Sequence, residues 1–209
     1  MKKLFTIFLF GAISFAGVAQ DQELAKEILN ELSEEAKTYK TVAIDFSLTI
    51  KSAQGSTSQK GKAKAKGTKF FYETEDRKVY SDGKSVWTFL TEEEECYIDN
   101  LEDIDGGINP SEILTIWENN FKFKYSKEVS EGIHEIKLFP KDAEKSKYHT
   151  VTITVDRNNK KITKAVIKTK ENASILMKFS KITPNVELSD STFKWNGAAH
   201  GDPDEIDNR

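Results

Sequence analysis

Reactive side chains are scarce in this chain. Its 209 residues contain one cysteine and three histidines, and no nucleophile, base or metal-ligand set can be assembled from them. Cys96 has no partner for an internal disulfide, so packing alone must stabilise the fold, and a small half-buried hydrophobe is its expected role. His134, His149 and His200 stand apart, with no G-x-S-x-G elbow, no H-E-x-x-H and no C-x-x-C around them. No enzyme, metal site or cofactor is therefore expected. An excess of positive charge is missing too: the formal net charge is -3, which argues against a nucleic-acid partner. The one long apolar run sits at the N-terminus.

That run has the anatomy of a secretory signal. Lys2 and Lys3 precede the apolar stretch from Leu4 to Val18, and Gly17-Val18-Ala19 supplies small residues for a cut before Gln20. It falls short of the roughly 20 apolar residues that span a bilayer. Removal of residues 1–19 takes both lysines and moves the net charge from -3 to -5. A soluble protein exported from the cytoplasm is expected, with one domain over residues 20–195 and a small, acidic, disordered tail over residues 196–209.

What is present is alternation. After an amphipathic helix carrying Leu24, Ile28, Leu29, Leu32 and Ala36, the period switches from helical spacing to two. Val42, Ile44, Phe46, Leu48 and Ile50 point one way from the first strand. The next strand alternates Lys60, Lys62, Lys64 and Lys66 with Gly61, Ala63, Ala65 and Gly67. Two readings fit it: an exposed, lysine-protected edge with small residues under a helix, or an inner face kept small to leave open volume. Strand patterns continue through Phe70–Glu73, a hairpin turn at Ser81-Asp82-Gly83-Lys84, and Val86–Leu90. Glu92 to Glu95 read as a solvated turn, because adjacent carboxylates on a strand or loop diverge.

A short helix should begin at Asn109 and Pro110, with Glu112 completing a capping box. Its residues Ile113, Leu114, Ile116 and Trp117 cover much of its circumference, so it needs apolar surroundings on more than one side. Further strands follow, including Phe121–Tyr125, His134–Leu138, Val151–Val155, Ile162–Thr169 and Ala173–Phe179, with Phe193 and Trp195 in a last short strand. The sum is a mainly β, single-domain fold: a half-open antiparallel barrel with helices across its mouth. The aromatic residues Phe70, Tyr72, Trp87, Phe89, Trp117, Phe121 and Phe123 fit either a plain core or a cavity for acyl chains.

In order and spacing, these runs resemble the outer-membrane lipoprotein carrier family, LolA. The similarity is carried by Val42-Ala43-Ile44-Asp45-Phe46-Ser47, Gly61, Lys69-Phe70-Phe71-Tyr72-Glu73 and Ser81-Asp82-Gly83-Lys84-Ser85-Val86-Trp87-Thr88-Phe89. Asn109-Pro110 through Leu114 and Phe193-Lys194-Trp195 complete it. The resemblance implies an unclosed barrel whose lid covers a hydrophobic cavity. It implies a periplasmic, monomeric chaperone that takes lipoproteins, by their acyl chains, from an inner-membrane transporter toward an outer-membrane acceptor.

By the same similarity, Phe46, Leu48, Phe70, Tyr72, Trp87, Phe89, Met177 and Phe179 line the cavity, and Ile113, Leu114, Ile116 and Trp117 form the lid. Two departures stand out. The family's Arg-Pro before the first aromatic strand, whose arginine latches the lid, is replaced by Lys66-Gly67-Thr68, which makes Lys66 and Lys69 the gating candidates. The family's proline-rich closing segment is replaced by the acidic tail. The alternative function is a lipoprotein-binding sensor of the same fold that regulates an envelope stress response.

Overall fold

The computed structural model describes residues 14–103, 112–118, 121–146 and 148–209. Helix α1 (Ser14–Lys37) opens the chain, and the expected cleavage point before Gln20 falls inside it. Its apolar stripe forms because Ala25, Ile28, Leu29 and Leu32 recur at helical spacing, and all four are buried. Among the described residues, no helix is long and apolar enough to cross a membrane.

Among the described residues, twelve strands then build a single sheet. They are β1 (Val42–Ser52), β2 (Gly55–Lys66), β3 (Lys69–Glu73), β4 (Arg77–Ser81), β5 (Ser85–Leu90) and β6 (Glu95–Asn100). After the lid segment come β7 (Phe121–Ser130), β8 (Ile133–Pro140), β9 (Tyr148–Asp156), β10 (Lys161–Thr169), β11 (Ser174–Pro184) and β12 (Asp204–Asp207). The spatial order is β12-β6-β5-β4-β3-β2-β1-β11-β10-β9-β8-β7, so the sheet is open, with β12 and β7 at its edges. Consecutive strands pair as antiparallel hairpins from β1 to β6 and from β7 to β11, and β1 closes against β11 in the middle. Among the described strands, only β12 is parallel to its neighbour, β6.

Alternation gives the sheet one inner, apolar face. From β1 outward, Ile44 lies opposite Ala63 on one side and Ile182 on the other, and Phe46 lies opposite Gly61 and Phe179. A bulge at Ser180 keeps this face continuous. Without it, Phe179 and Ile182 would face opposite ways; the extra residue resets the phase so that both point inward. The Ser180 hydroxyl donates to the Asp45 carbonyl at 3.0 Å and fixes the bulge.

The buried residues fall into two clusters on this face. One joins α1 to Ile136, Leu138, Val151, Ile153, Val155 and Ile162 of β8–β10. The other joins Val42, Ile44, Ala63, Ala65, Phe70, Val79 and Val86 of β1–β5. Phe179 packs against both. The Arg157 guanidinium straps α1 down from the β9–β10 turn, donating to Glu27 at 2.7 Å and to Glu31 at 2.7 and 3.0 Å.

The C-terminal residues depart from expectation. Residues 196–209 are folded: Gly197–His200 forms a 3-10 turn and β12 lies along β6. The tail has no apolar period because it attaches by other means. The Asn208 amide donates to the Ile98 carbonyl at 2.9 Å, and the Trp195 indole donates to Glu205 at 2.6 Å. Phe193, expected in a strand, is fully buried in a 3-10 turn (Asp190–Phe193), and Lys194 beyond it is extended but unpaired in the sheet. Cys96 is also more buried than expected, and burial pushes its thiol up to about 12.

Candidate lipid-binding face and lid

The lid segment Glu112–Glu118 is two short 3-10 turns rather than one α-helix. Its capping residues Asn109 and Pro110 lie outside the described residues, as does the Ile113 side chain. Thr115, at φ -139° and ψ 20°, breaks the helical path. The break turns the two apolar anchors apart. Leu114 is buried in the β1–β5 cluster and Trp117 in the α1/β8–β10 cluster, with Ile116 packed beside it. One segment thus plugs both halves of the inner face.

Two contacts with α1 fasten it. The buried Trp117 indole donates to the Ser33 hydroxyl at 2.9 Å, and Lys37 pairs with Glu118 at 2.8 Å. That lysine and Ser33 hold the Glu118 carboxyl below its usual range. Two clefts flank the lid: one of about 230 Å³ beside Leu114 and Thr115, lined by Tyr39, Val42 and Ala65, and one of about 340 Å³ beside Trp117, lined by Leu29, Phe121 and Phe123. Ligand pockets commonly enclose about 300–1,000 Å³. One cleft falls below that range and the other at its lower end while Leu114 and Trp117 stay in place, and displacing the two anchors would uncover the apolar surface between them.

Six of the eight expected lining residues share the inner face. Phe46, Phe70, Tyr72 and Phe179 pack in or against the β1–β5 cluster, and the Phe70 and Tyr72 rings stack at 6.4 Å. Leu48 and Met177 lie opposite one another across β1 and β11, half-buried and outside both clusters. Burial pushes the Tyr72 phenol up. Gly61 completes the surface: a Cβ there would overlap the Phe46 ring and sit 2.8 Å from the Glu73 carbonyl oxygen. At that position the bare face of the lysine strand is filled by an aromatic ring. Ala63 and Ala65 are likewise buried.

Trp87 and Phe89 are not on this face. Phe70 lies opposite Ser81 and Ser81 opposite Val86, so β5 turns Val86 and Thr88 inward. Trp87 and Phe89 point outward with Tyr80, Cys96 and Ile98. The sequence Val-Trp-Thr-Phe-Leu hides its phase because bulky apolar residues occupy both faces. What buries the outer set is the C-terminal segment. Trp195 lies 5.6 Å from both Tyr80 and Phe89, and His200 stacks on Trp195 at 4.8 Å and on Phe89 at 5.1 Å.

Residues 37–196 match the family described as outer membrane lipoprotein carrier protein LolA, and the match covers most of the chain. The chain belongs to the LolA family. No curated protein sequence matches it. Its fold is similar to that of an uncharacterised conserved protein from Thermus thermophilus, at 9% identity and TM-score 0.57, covering 88% of this chain and 99% of that one. More distant likenesses include the LolA superfamily protein NE2245 from Nitrosomonas europaea (11% identity, TM-score 0.45, 82% and 97% covered). A putative outer membrane lipoprotein-sorting protein domain from Vibrio parahaemolyticus is comparable (13% identity, TM-score 0.44, 84% and 99% covered).

In this LolA-family chain the two gating candidates are engaged elsewhere. Lys66 and Lys69 both reach Asp190 on the outer face, at 2.9 and 3.0 Å, and together hold its carboxyl down to about 2. They anchor the C-terminal segment, not the lid. Ser33 and Lys37 hold the lid instead, and sequence reading missed them because both read as ordinary polar positions on α1. No group of three or more His, Cys, Asp or Glu side chains is placed to hold a metal among the described residues. His134 is buried and shares a 3.0 Å hydrogen bond with the Tyr125 hydroxyl, and His149 is exposed.

Proposed function

We propose that this protein is a non-enzymatic periplasmic carrier that holds the acyl chains of lipoproteins against the inner face and moves them from the inner to the outer membrane. The observation that carries this reading is the split lid. Leu114 and Trp117 fill the two apolar clusters that acyl chains would occupy, so the lid is a surrogate for the cargo and the cargo displaces it. Apolar burial is non-directional, and each buried methylene contributes about 0.8 kcal/mol. Even one chain therefore exceeds what Ser33 and Lys37 add to the closed lid, an exposed ion pair being worth about 0–1 kcal/mol and a hydrogen bond about 0.5–1.5 kcal/mol. Release requires an acceptor that offers comparable burial. An inner-membrane transporter at the start and an outer-membrane acceptor at the end complete the route.

Leu48 and Met177 provide the cleanest test, because they face inward yet stand outside the packed clusters. Met177→Asp should weaken binding of a triacylated lipopeptide at least ~10-fold, as one lost apolar contact of about 1.5–3 kcal/mol implies, with an unchanged circular dichroism spectrum. Undiminished binding by Met177→Asp and Leu48→Asp would remove the inner face as the acyl site.

A further inference from the structure

The outer face carries a second signal that the cargo reading does not use. Four adjacent strands near the middle of the sheet, β10-β11-β1-β2, contain a single carboxylate, Asp45, in a chain whose net charge is -3, and the nearest carboxylate of the next strand, Glu73 of β3, lies opposite Lys62 at the border of this group. The registers place Lys60, Lys62, Lys64, Lys168, Lys178 and Lys181 on one side: Ser47 lies opposite Lys60 and Lys178, Asp45 opposite Lys62 and Lys181, and Lys168 opposite Ser174. This is the side away from the lid. Lys60, Lys62, Lys168, Lys178 and Lys181 are exposed, and none has an ion-pair partner among the described residues. Across the sheet, Glu23, Glu27, Glu31, Glu34 and Glu35 ride on α1, which packs on the inner face, while the acidic C-terminal segment covers the outer face at its β4–β6 end, away from the field. The middle of the sheet is therefore cationic on its outer side and faces an acidic helix on its inner side.

We propose that this lysine field docks the protein, outer face down, on the anionic headgroups of a phospholipid bilayer. Three features favour a lipid surface. The charges form a two-dimensional array, with alternate residues about 6.6–6.8 Å apart along a strand and strands about 4.8 Å apart, which matches a diffuse field of phosphates. Every cation in the array is a lysine, a compact point charge, whereas a protein carboxylate is read best by the planar fork of arginine. Val166 and Leu176, opposite one another across β10 and β11, set half-exposed apolar side chains between the lysines at the level of the headgroups. No anion pocket competes: the one depression described in the field, of about 320 Å³, is lined by Asp45, Glu73 and Glu75 as well as Lys60 and Lys62. In this orientation the lid and its flanking clefts face away from the bilayer.

The test is co-sedimentation of the secreted protein with phosphatidylglycerol/phosphatidylcholine vesicles and with pure phosphatidylcholine vesicles, at about 0.02 M and about 0.5 M salt. Binding to the anionic vesicles alone, lost at high salt, is expected. Near a membrane surface each lysine contributes about fivefold, so joint Lys60→Gln, Lys62→Gln, Lys178→Gln and Lys181→Gln substitution should lower partitioning ~100-fold or more. An equal change of net charge at Lys26, Lys84, Lys141 and Lys145, away from the field, should leave most of the binding. No anionic-vesicle binding, or equal loss in both quadruple variants, would overturn the proposal. So would salt-sensitive self-association without vesicles that the field variant abolishes, since a second copy's acidic helix would then be the occupant. Lipopeptide binding measured on the same samples reports separately on the cargo reading.

Discussion

Gly61 shows how one missing side chain shapes the inner face. Its neighbours in β2 are lysines and alanines, and only the hydrogen at this position leaves room for the Phe46 ring against the strand. Gly61→Ala must push that ring off a well-packed site, an overpacking that costs typically about 1–3 kcal/mol. A lower urea midpoint with an unchanged m-value is the expected result, and an unshifted midpoint would show that Phe46 has free space to move. His200 supplies a pH dependence at the same scale. Burial against Phe89 and Trp195, with Lys78 nearby, lowers its pKa below the usual 6.5. The neutral ring is thus favoured in the folded state. Its stabilisation is complete above about pH 6.5, where the unfolded imidazole is also neutral, and is lost as pH falls toward the lower folded value. Trp195 fluorescence should report loosening of the C-terminal segment on acidification in this window, and His200→Phe should abolish the response.

At the scale of elements, the segment Glu112–Glu118 is held to α1 by few groups, as the proposed displacement by cargo requires. Ser33→Ala removes the acceptor of the buried Trp117 indole and leaves that donor unsatisfied, at a cost of about 1–3 kcal/mol. Faster amide exchange confined to residues 114–118, with sheet amides unchanged, is the expected outcome; uniform protection would show that the indole bond does not latch the lid. The strands were legible in sequence because period two is visible residue by residue, as in Val42-Ala43-Ile44-Asp45-Phe46. Phase was not legible where both faces are apolar. Val86-Trp87-Thr88-Phe89 gives no clue which side is buried by the lid and which by Trp195 and His200, so Trp87 and Phe89 were expected on the wrong face. The lid's break at Thr115 and the parallel β12 depend on long-range packing and backbone pairing, which leave no local pattern. Lys66 and Lys69 stand where a latch is expected, yet their partner, Asp190, is more than a hundred residues away and could not be named from spacing.

The whole molecule is a sheet with two unlike sides. One side is apolar and closed by a segment that occupies both of its clusters; the other is cationic at its centre and sealed at one end by the C-terminal segment. This division matches a carrier that must keep acyl chains from water while staying soluble itself. It also explains why function was legible more coarsely than fold. A cavity for acyl chains needs only apolar lining and removable filling, and neither leaves a residue motif as sharp as a metal site or a triad. The central claim, that lipoprotein acyl chains take the place of Leu114 and Trp117, is tested most directly by native mass spectrometry of the protein isolated from its host's envelope. The account predicts mass additions matching acylated lipoproteins on the wild type and a smaller loaded fraction for Met177→Asp. Wild-type protein carrying no cargo, from cells whose lipoproteins still reach the outer membrane when it is depleted, would contradict it.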